Sequence, residues 1–188
     1  MRIKIGIEGK TPLLCNRFTD EAALAATNGV RGSVRGDRGS ERDIAESKLY
    51  LDAKGKVCIP QPNLMRCVVD GGLWHKLGKK QITTQKTSLV YACLDVEGVS
   101  IPIIHKAPWS VDVRPVVIPA TGGRILCYRP RFDDWKLNFE MELDETLIGL
   151  KLMRAIIDDA GSKIGLGDFR PSKKGPFGRF IVVNWEEK

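Results

Sequence analysis

The sequence predicts an α+β domain of the ferredoxin-like type, with the order βαββαβ and two helices on one face of an antiparallel sheet. Residues 2–8 alternate isoleucine with polar residues, as a half-buried strand does. Two segments, beginning near Pro62 and near Ile148, carry apolar residues at helical spacing. Residues 135–143 alternate like a strand and residues 180–185 form an apolar run, which together supply the later strands.

Length and composition indicate one globular domain with a basic surface. The 188 residues suffice for a sizeable core, and we expect a single domain over residues 1–188 with insertions at about 19–56 and 79–122. The formal net charge of +7 favours an anionic partner such as nucleic acid. No apolar run approaches the roughly 18 residues of a membrane-spanning helix.

Cysteine usage predicts free thiols. The chain has five cysteines, none in a CxxC pair, and two histidines, so we expect no structural zinc and no other metal or cofactor. Most of the cysteines lie in apolar runs, which is typical of buried thiols in a reducing cytoplasm.

The first insertion contains an arginine- and glycine-rich segment, residues 28–43, with almost nothing to bury. This composition predicts a mobile loop, and arginine interleaved with glycine and serine favours contact with a nucleic-acid backbone. The alternative is an insertion whose charges only keep it soluble. The arginines that we expect to close over a strand are Arg31, Arg35, Arg38 and Arg42.

The first helix and the second insertion follow. Pro60 ends a short strand and Pro62 opens a helix whose buried face includes Leu64, Cys67 and Val68. Short β-prone runs then predict a small β insertion, in which Pro115 restricts residues 113–118 to an edge strand. Residues 125–131 and 135–143, joined by a short turn, predict a β-hairpin of the main sheet.

A glycine loop, residues 161–180, joins the second helix to the last strand, and Gly161 is the predicted C-cap of that helix. Glycine lets backbone N–H groups approach a ligand, and successive N–H groups can form an anion-binding nest. The loop therefore predicts a phosphate site, with an ordered connection carrying solvated charges as the alternative. Its basic residues are Lys163, Arg170, Lys173, Lys174 and Arg179.

Three motifs carry a resemblance to a known family. The glycine loop contains GSKIGLG and GPFGRF, residues 9–14 read GKTPLL, and residues 59–66 read IPQPNLMR. Together they resemble the RAMP superfamily of CRISPR-associated RNA-binding proteins, over about half of the chain. The proline-led entry lacks the serine- and glycine-rich form common in that family. The YRPRF segment, residues 128–132, is also similar to small phage proteins.

The resemblance implies a protein that binds single-stranded nucleic acid, RNA preferred, in the cytoplasm of a bacterial or phage-infected cell. We expect it to be non-catalytic, because the sequence offers no clustered carboxylates and no evident acid–base pair. It also implies self-association along the strand or contact with other CRISPR-type subunits. The basic residues of the glycine loop would contact phosphates. Trp109 and Phe169 are the candidate stacking platforms, with a core role as the alternative for each.

An enzymatic function is the second hypothesis. The sequence has no Walker loop, GxSxG or HExxH motif, and some RAMP proteins cleave RNA with histidine and without metal. His75 and His105 are the candidates for such a reaction, although a surface role is expected for each. Asp168 is expected to stabilise the glycine loop. A third hypothesis is a phage protein that binds or mimics a component of a CRISPR complex.

Overall fold

The computed structural model describes residues 1–19, 27, 39–117 and 122–188. The helices of this described part are α1 (Glu41–Glu46), α2 (Gln61–Gly71), α3 (Val90–Cys93) and α4 (Leu150–Asp159). Its strands are β1 (Arg2–Gly9), β2 (Leu13–Leu14), β3 (Cys58–Pro60), β4 (Lys76–Leu77), β5 (Lys80–Gln81), β6 (Leu94–Val96), β7 (Ser100–Pro102), β8 (Ser110–Val117), β9 (Arg124–Phe132), β10 (Lys136–Leu143) and β11 (Phe180–Glu187). Among these helices, none has the length and apolar character needed to cross a membrane.

The central element is an antiparallel four-stranded sheet in the order β11-β1-β10-β6. The alternating isoleucines of β1 lie fully inside, and Ile5 sits between Phe139 of β10 and Trp185 of β11. Helices α2 and α4 contact each other and bury their apolar faces in the same core. The chain order β1-α2-β6-β10-α4-β11 confirms the predicted ferredoxin-like fold.

The predicted hairpin of the main sheet is wrong. Strand β9 does not pair with β10 but lies in a separate three-stranded sheet in the order β2-β9-β8. The free edge of β10 is instead filled by the three residues of β6, two of which, Leu94 and Val96, are buried against it. A strand this short, directly after a helical turn, has too few residues to show an alternating pattern.

The β8–β9 ribbon is long and partly exposed. Its register runs from Ser110↔Arg131 to Val117↔Arg124, and β8 is an edge strand, as Pro115 predicted. Near the far end of the ribbon, apolar side chains of both strands face solvent: Val113, Val117, Ile125 and Leu126. The ribbon therefore extends beyond the buried core of the main sheet.

The second helix ends later than the sequence indicates. After α4 the chain continues through a π-helical turn, Ala160–Ile164, and Gly165, with φ of +76°, terminates it in place of Gly161. Gly161 is buried against the last strand, where a Cβ would overlap the carbonyl oxygen of Phe180. Close packing of the helix end against β11 therefore explains this glycine.

The five cysteines are free thiols, as predicted. Four are buried and Cys127 is half-buried. Burial raises the pKa of Cys15 and of Cys67 to about 12, and that of Cys93 to about 11. These three thiols therefore remain protonated at neutral pH.

A matched pair of glycine substitutions tests whether the glycine loop depends on close backbone packing. Gly178 and Gly55 both have positive φ, +70° and +73°. A Cβ at Gly178 would overlap Leu166 O, whereas a Cβ at Gly55 would meet nothing within 4 Å. We expect Gly55→Ala to lower the free energy of unfolding by about 1 kcal/mol, the cost of positive φ. Gly178→Ala should lower it by about 3 kcal/mol, because overpacking adds to that cost. Urea unfolding measures both, and equal losses would contradict the packing account.

Candidate nucleic-acid interface

A cleft of about 210 Å³ lies between the glycine loop, the proline-led entry to α2 and the residues that directly follow GKTPLL. The chain that follows β2 forms one wall, the start of α2 forms a second, and the glycine loop forms a third. Tyr50 lines the cleft from the segment before β3. The lining residues are Cys15, Asn16, Tyr50, Ile59, Asn63, Arg66, Gly165, Leu166, Gly167, Asp168 and Arg170.

Backbone hydrogen bonds hold the glycine loop against the N-terminal segment. The N–H of Asp168 donates to Leu14 O at 2.8 Å, and the N–H of Gly178 donates to Pro12 O at 2.8 Å. Within the loop, the N–H of Leu166 donates to Gly178 O at 2.9 Å. Gly167 lies so close to Leu14 that a Cβ would overlap the carbonyl oxygen of that residue. The loop thus crosses the N-terminal segment at backbone-to-backbone distance.

The predicted anion-binding nest is wrong for this part of the loop. The N–H groups of Leu166, Asp168, Phe177 and Gly178 all donate to carbonyl oxygens of the protein itself. A phosphate therefore has no access to them as donors. The glycines serve the close packing of the loop.

Asp168 joins the glycine loop to the second sheet. Its Oδ2 accepts hydrogen bonds from Arg129 Nε at 2.6 Å and from Asn16 Nδ2 at 3.0 Å. The side chain of Arg129 is only 7% exposed. Its Nη1 is buried and has no hydrogen-bond partner among the described residues. Asp168 was expected to stabilise the loop and makes these two bonds. No pattern in the sequence indicated Arg129 or Asn16 as its partners.

Two arginines bring positive charge to the cleft. Arg170, a predicted phosphate residue, lines it and is held by its own loop, with Nη1 donating to Gly167 O at 2.8 Å and Nε to Ser172 Oγ at 2.9 Å. Arg66 of α2 also lines it and pairs with Asp70 one turn later, at 2.8 Å. Sequence reasoning missed Arg66, although its position on the polar face of α2, beside the proline-led entry, was a usable signal.

The other basic residues of the glycine loop do not line the cleft. Lys173 and Lys174 are exposed, and their side chains form no hydrogen bond or ion pair with the described residues. Arg179 donates from Nη1 to Ser162 O and so bridges the two ends of the loop. Lys163 pairs with Asp159 at 2.7 Å and lies above the ring of Trp74. The structure therefore brings only Arg170 of the five to the cleft.

The predicted stacking platforms differ in their surroundings. Trp109 is half-buried against the core, and the guanidinium carbon of Arg42 lies 3.9 Å from the centre of its ring. Phe169, in the glycine loop, adopts φ of +48°, and its ring centre lies 6.0 Å from that of Phe177. Phe169 is half-buried, outside the main core cluster.

Arg42 is the one arginine of the first insertion that the structure describes. It lies in α1, which begins with a capping box between Ser40 and Asp43. The other three predicted contacts of this segment, Arg31, Arg35 and Arg38, lie outside the described residues.

A larger surface depression, of about 510 Å³, has the wrong charge for nucleic acid. Asp95, Glu142, Asp144 and Glu145 line it, beside Met1. Hydrogen bonds from the hydroxyl and N–H of Thr146 lower the pKa of Asp144 and keep its carboxylate charged. This acidic surface would repel a phosphate backbone, so the smaller cleft is the better candidate.

The two histidines lie apart from the cleft and contact different elements. His75 Nε2 is 3.0 Å from Asp159 Oδ2, although the contact lacks hydrogen-bond geometry. His105 Nδ1 lies 2.9 Å from Ala107 O, and its ring meets that of Phe132 edge-on at 5.2 Å. Within the described part of the chain, no three His, Cys, Asp or Glu side chains are grouped as metal ligands.

Comparison with known proteins yields a match in structure. No protein-family model matches the chain, and no curated protein matches its sequence. Among solved structures, the chain is similar to one in the cryo-EM structure of the Type III-B Cmr-beta bound to cognate target RNA, with a TM-score of 0.56 and 12% identity. The similarity covers 98% of this chain and 59% of that one. At this identity the comparison shows the fold alone, and it supports the ferredoxin-like fold.

Proposed function

We propose that this chain is a non-catalytic protein that binds single-stranded nucleic acid, RNA preferred, with the strand passing through the cleft. The observation that carries the proposal is the meeting of Arg66, Arg170 and Asn63 with Tyr50 in one groove. Guanidinium groups suit phosphate, and amide and phenol groups suit the hydroxyls and edges of a nucleotide. The similar chain in a structure bound to target RNA supports this class of ligand.

The start of α2 adds a further attraction for an anion. The helix begins at Gln61 after Pro60, and no side chain caps its N-terminus. Pro60 and Pro62 have no N–H, and Gln61 N–H donates to Val99 O at 2.9 Å, so the attraction comes from the positive end of the helix dipole. Asn63 and Arg66, in the first two turns of α2, line the cleft, so this end of the helix forms one of its walls. The helix dipole and the arginines therefore favour the same charge at one position.

The dimensions of the cleft favour a single strand over a duplex. A groove of about 210 Å³ admits one nucleoside-sized group at a time and is far too narrow for paired strands. Lys173 and Lys174 follow Arg170 closely in the chain and are free to meet the phosphates that precede or follow that group. Binding of this kind is sequence-tolerant and depends strongly on salt.

Assembly along the strand is the finer part of the proposal. The β8–β9 ribbon exposes Val113, Val117, Ile125 and Leu126 at its far end. An apolar ribbon end that reaches beyond its own core gains stability by packing on a neighbouring subunit. Successive copies along one strand, or other CRISPR-type subunits, provide such a neighbour.

Arg66→Gln tests the cleft with minimal risk to the fold. Loss of one phosphate contact should weaken binding of labelled single-stranded oligouridine about tenfold. The slope of log K against log salt should become less steep by about 0.7. Fluorescence anisotropy over a salt series measures both quantities.

Arg154→Gln is the matched control, because Arg154 also pairs with an aspartate one turn later on an exposed helix face. We expect it to bind as the wild type does. Equal losses of affinity in the two variants, or no loss of affinity in Arg66→Gln, would show that the cleft does not bind the strand.

Absence of cleavage is a separate expectation. General acid–base cleavage needs two groups that flank one ribose, and His75 and His105 contact different elements outside the cleft. We expect labelled single-stranded RNA to stay intact with magnesium, manganese or chelator over a time course resolved by gel electrophoresis. A specific product that disappears in both His75→Ala and His105→Ala would show a nuclease.

A further inference from the structure

Trp74 stands out among the four tryptophans by its exposure. Trp135 is fully buried, and Trp109 and Trp185 are half-buried against the core. Trp74 lies in a 3₁₀ turn, Gly72–Trp74, and 60% of its surface faces solvent. A large aromatic ring contributes little to the fold in such a position. Exposed aromatic rings are used by nucleic-acid-binding proteins as platforms on which bases stack.

A basic hairpin, residues 76–81, follows Trp74 directly. It consists of β4 and β5 joined by a tight turn at Gly78, with φ of +61°. Residues 71–94 contain no aspartate or glutamate. Their lysines form no ion pair with the described residues and are all exposed: Lys76, Lys79, Lys80 and Lys86. These four lysines form a positive surface, while Asp159 of α4 lies against the segment, 3.0 Å from His75 Nε2.

The register of the basic hairpin places Lys76 on the side of Trp74. Lys76 is directly opposite Gln81, so the two side chains share one face of the hairpin. Gln81 Nε2 donates to Leu73 O at 3.1 Å, which fixes that face toward the turn that carries Trp74. Lys76 is thus on the face of the hairpin that is directed toward this turn.

Lys163 approaches the same ring from the glycine loop. Its Nζ lies 4.8 Å from the centre of the Trp74 ring and 2.7 Å from Asp159 Oδ2. The contact joins the ring to the π-helical turn that carries Lys163. Lys163 was predicted to contact phosphate, and the structure positions it at Trp74 and away from the cleft.

We propose that Trp74, Lys76 and Lys163 form a second binding position for single-stranded nucleic acid, separate from the cleft. One base stacks on the indole, and the two ammonium groups contact its flanking phosphates. The class of ligand rests on the proposed function, while the position rests on Trp74 and the basic hairpin. A protein partner is less favoured, because protein interfaces are depleted in lysine and residues 71–94 carry four exposed lysines.

Tryptophan fluorescence tests the stacking directly. Titration of the wild type with single-stranded oligouridine should quench the emission, because a stacked base quenches indole and Trp74 is the most exposed of the four rings. Trp74→Phe should lose most of the quenching and bind more weakly. Trp185→Phe, the control, should show the quenching and the affinity of the wild type. Retention of the quenching in Trp74→Phe would overturn the proposal.

A pair of charge variants tests the phosphate contacts. Lys76→Gln/Lys163→Gln should make the slope of log K against log salt less steep by about 1.4, which is two contacts at about 0.7 each. The control is Lys4→Gln/Lys151→Gln, which also removes one ion-paired and one exposed lysine. An equal change of the salt slope in the two double variants would overturn the proposed second position.

The same measurements separate the two proposals. If the wild type shows no binding at all, the proposed function fails and the ligand of this surface fails with it. If the wild type binds and loses affinity in Arg66→Gln, while the Trp74 and lysine variants bind normally, only the second position is wrong. If those variants bind normally but lose self-association in size-exclusion chromatography, the surface is a protein contact and the proposal is overturned.

Discussion

The crossing of the glycine loop over the N-terminal segment is the contact on which the candidate site depends. Two backbone hydrogen bonds, Asp168 to Leu14 and Gly178 to Pro12, fix this crossing. It requires glycine at positions where a Cβ would overlap a neighbouring carbonyl oxygen. The crossing forms one wall of the cleft and leaves the side chain of Arg170 beside the start of α2. The glycines thus shape the site, and the charged side chains supply its chemistry.

An ion pair between a buried arginine and a half-buried aspartate then orients the second sheet relative to this crossing. Arg129 of β9 reaches Asp168 of the glycine loop, and Asn16 completes the contact. A buried arginine needs a charged partner, so the loop and the β8–β9 ribbon are coupled through one carboxylate. The ribbon therefore has a defined position relative to the cleft.

The sequence predicted the fold better than it predicted the site. The periodic segments of β1, β10, α2 and α4 were sufficient for the ferredoxin-like order, because burial of one face leaves a regular pattern. Strand β6 was missed because three residues show no period, and the hairpin was misassigned as a result. Arg170 was found at the cleft, whereas Arg66, Asn16 and Arg129 were not. Contacts between residues distant in the chain leave no local pattern in the sequence. For the same reason, the sequence did not predict that N–H groups of the glycine loop donate to backbone carbonyl oxygens.

The most direct test of the central claim is to map where a single strand touches the protein. Single-stranded RNA that carries 4-thiouridine can be photocrosslinked to the wild-type chain, and the crosslinked peptides identified by mass spectrometry. The account predicts crosslinks in the segments that line the cleft, around Asn16, Tyr50 and residues 165–170. Crosslinks confined to other surfaces, with none in these three segments, would contradict it.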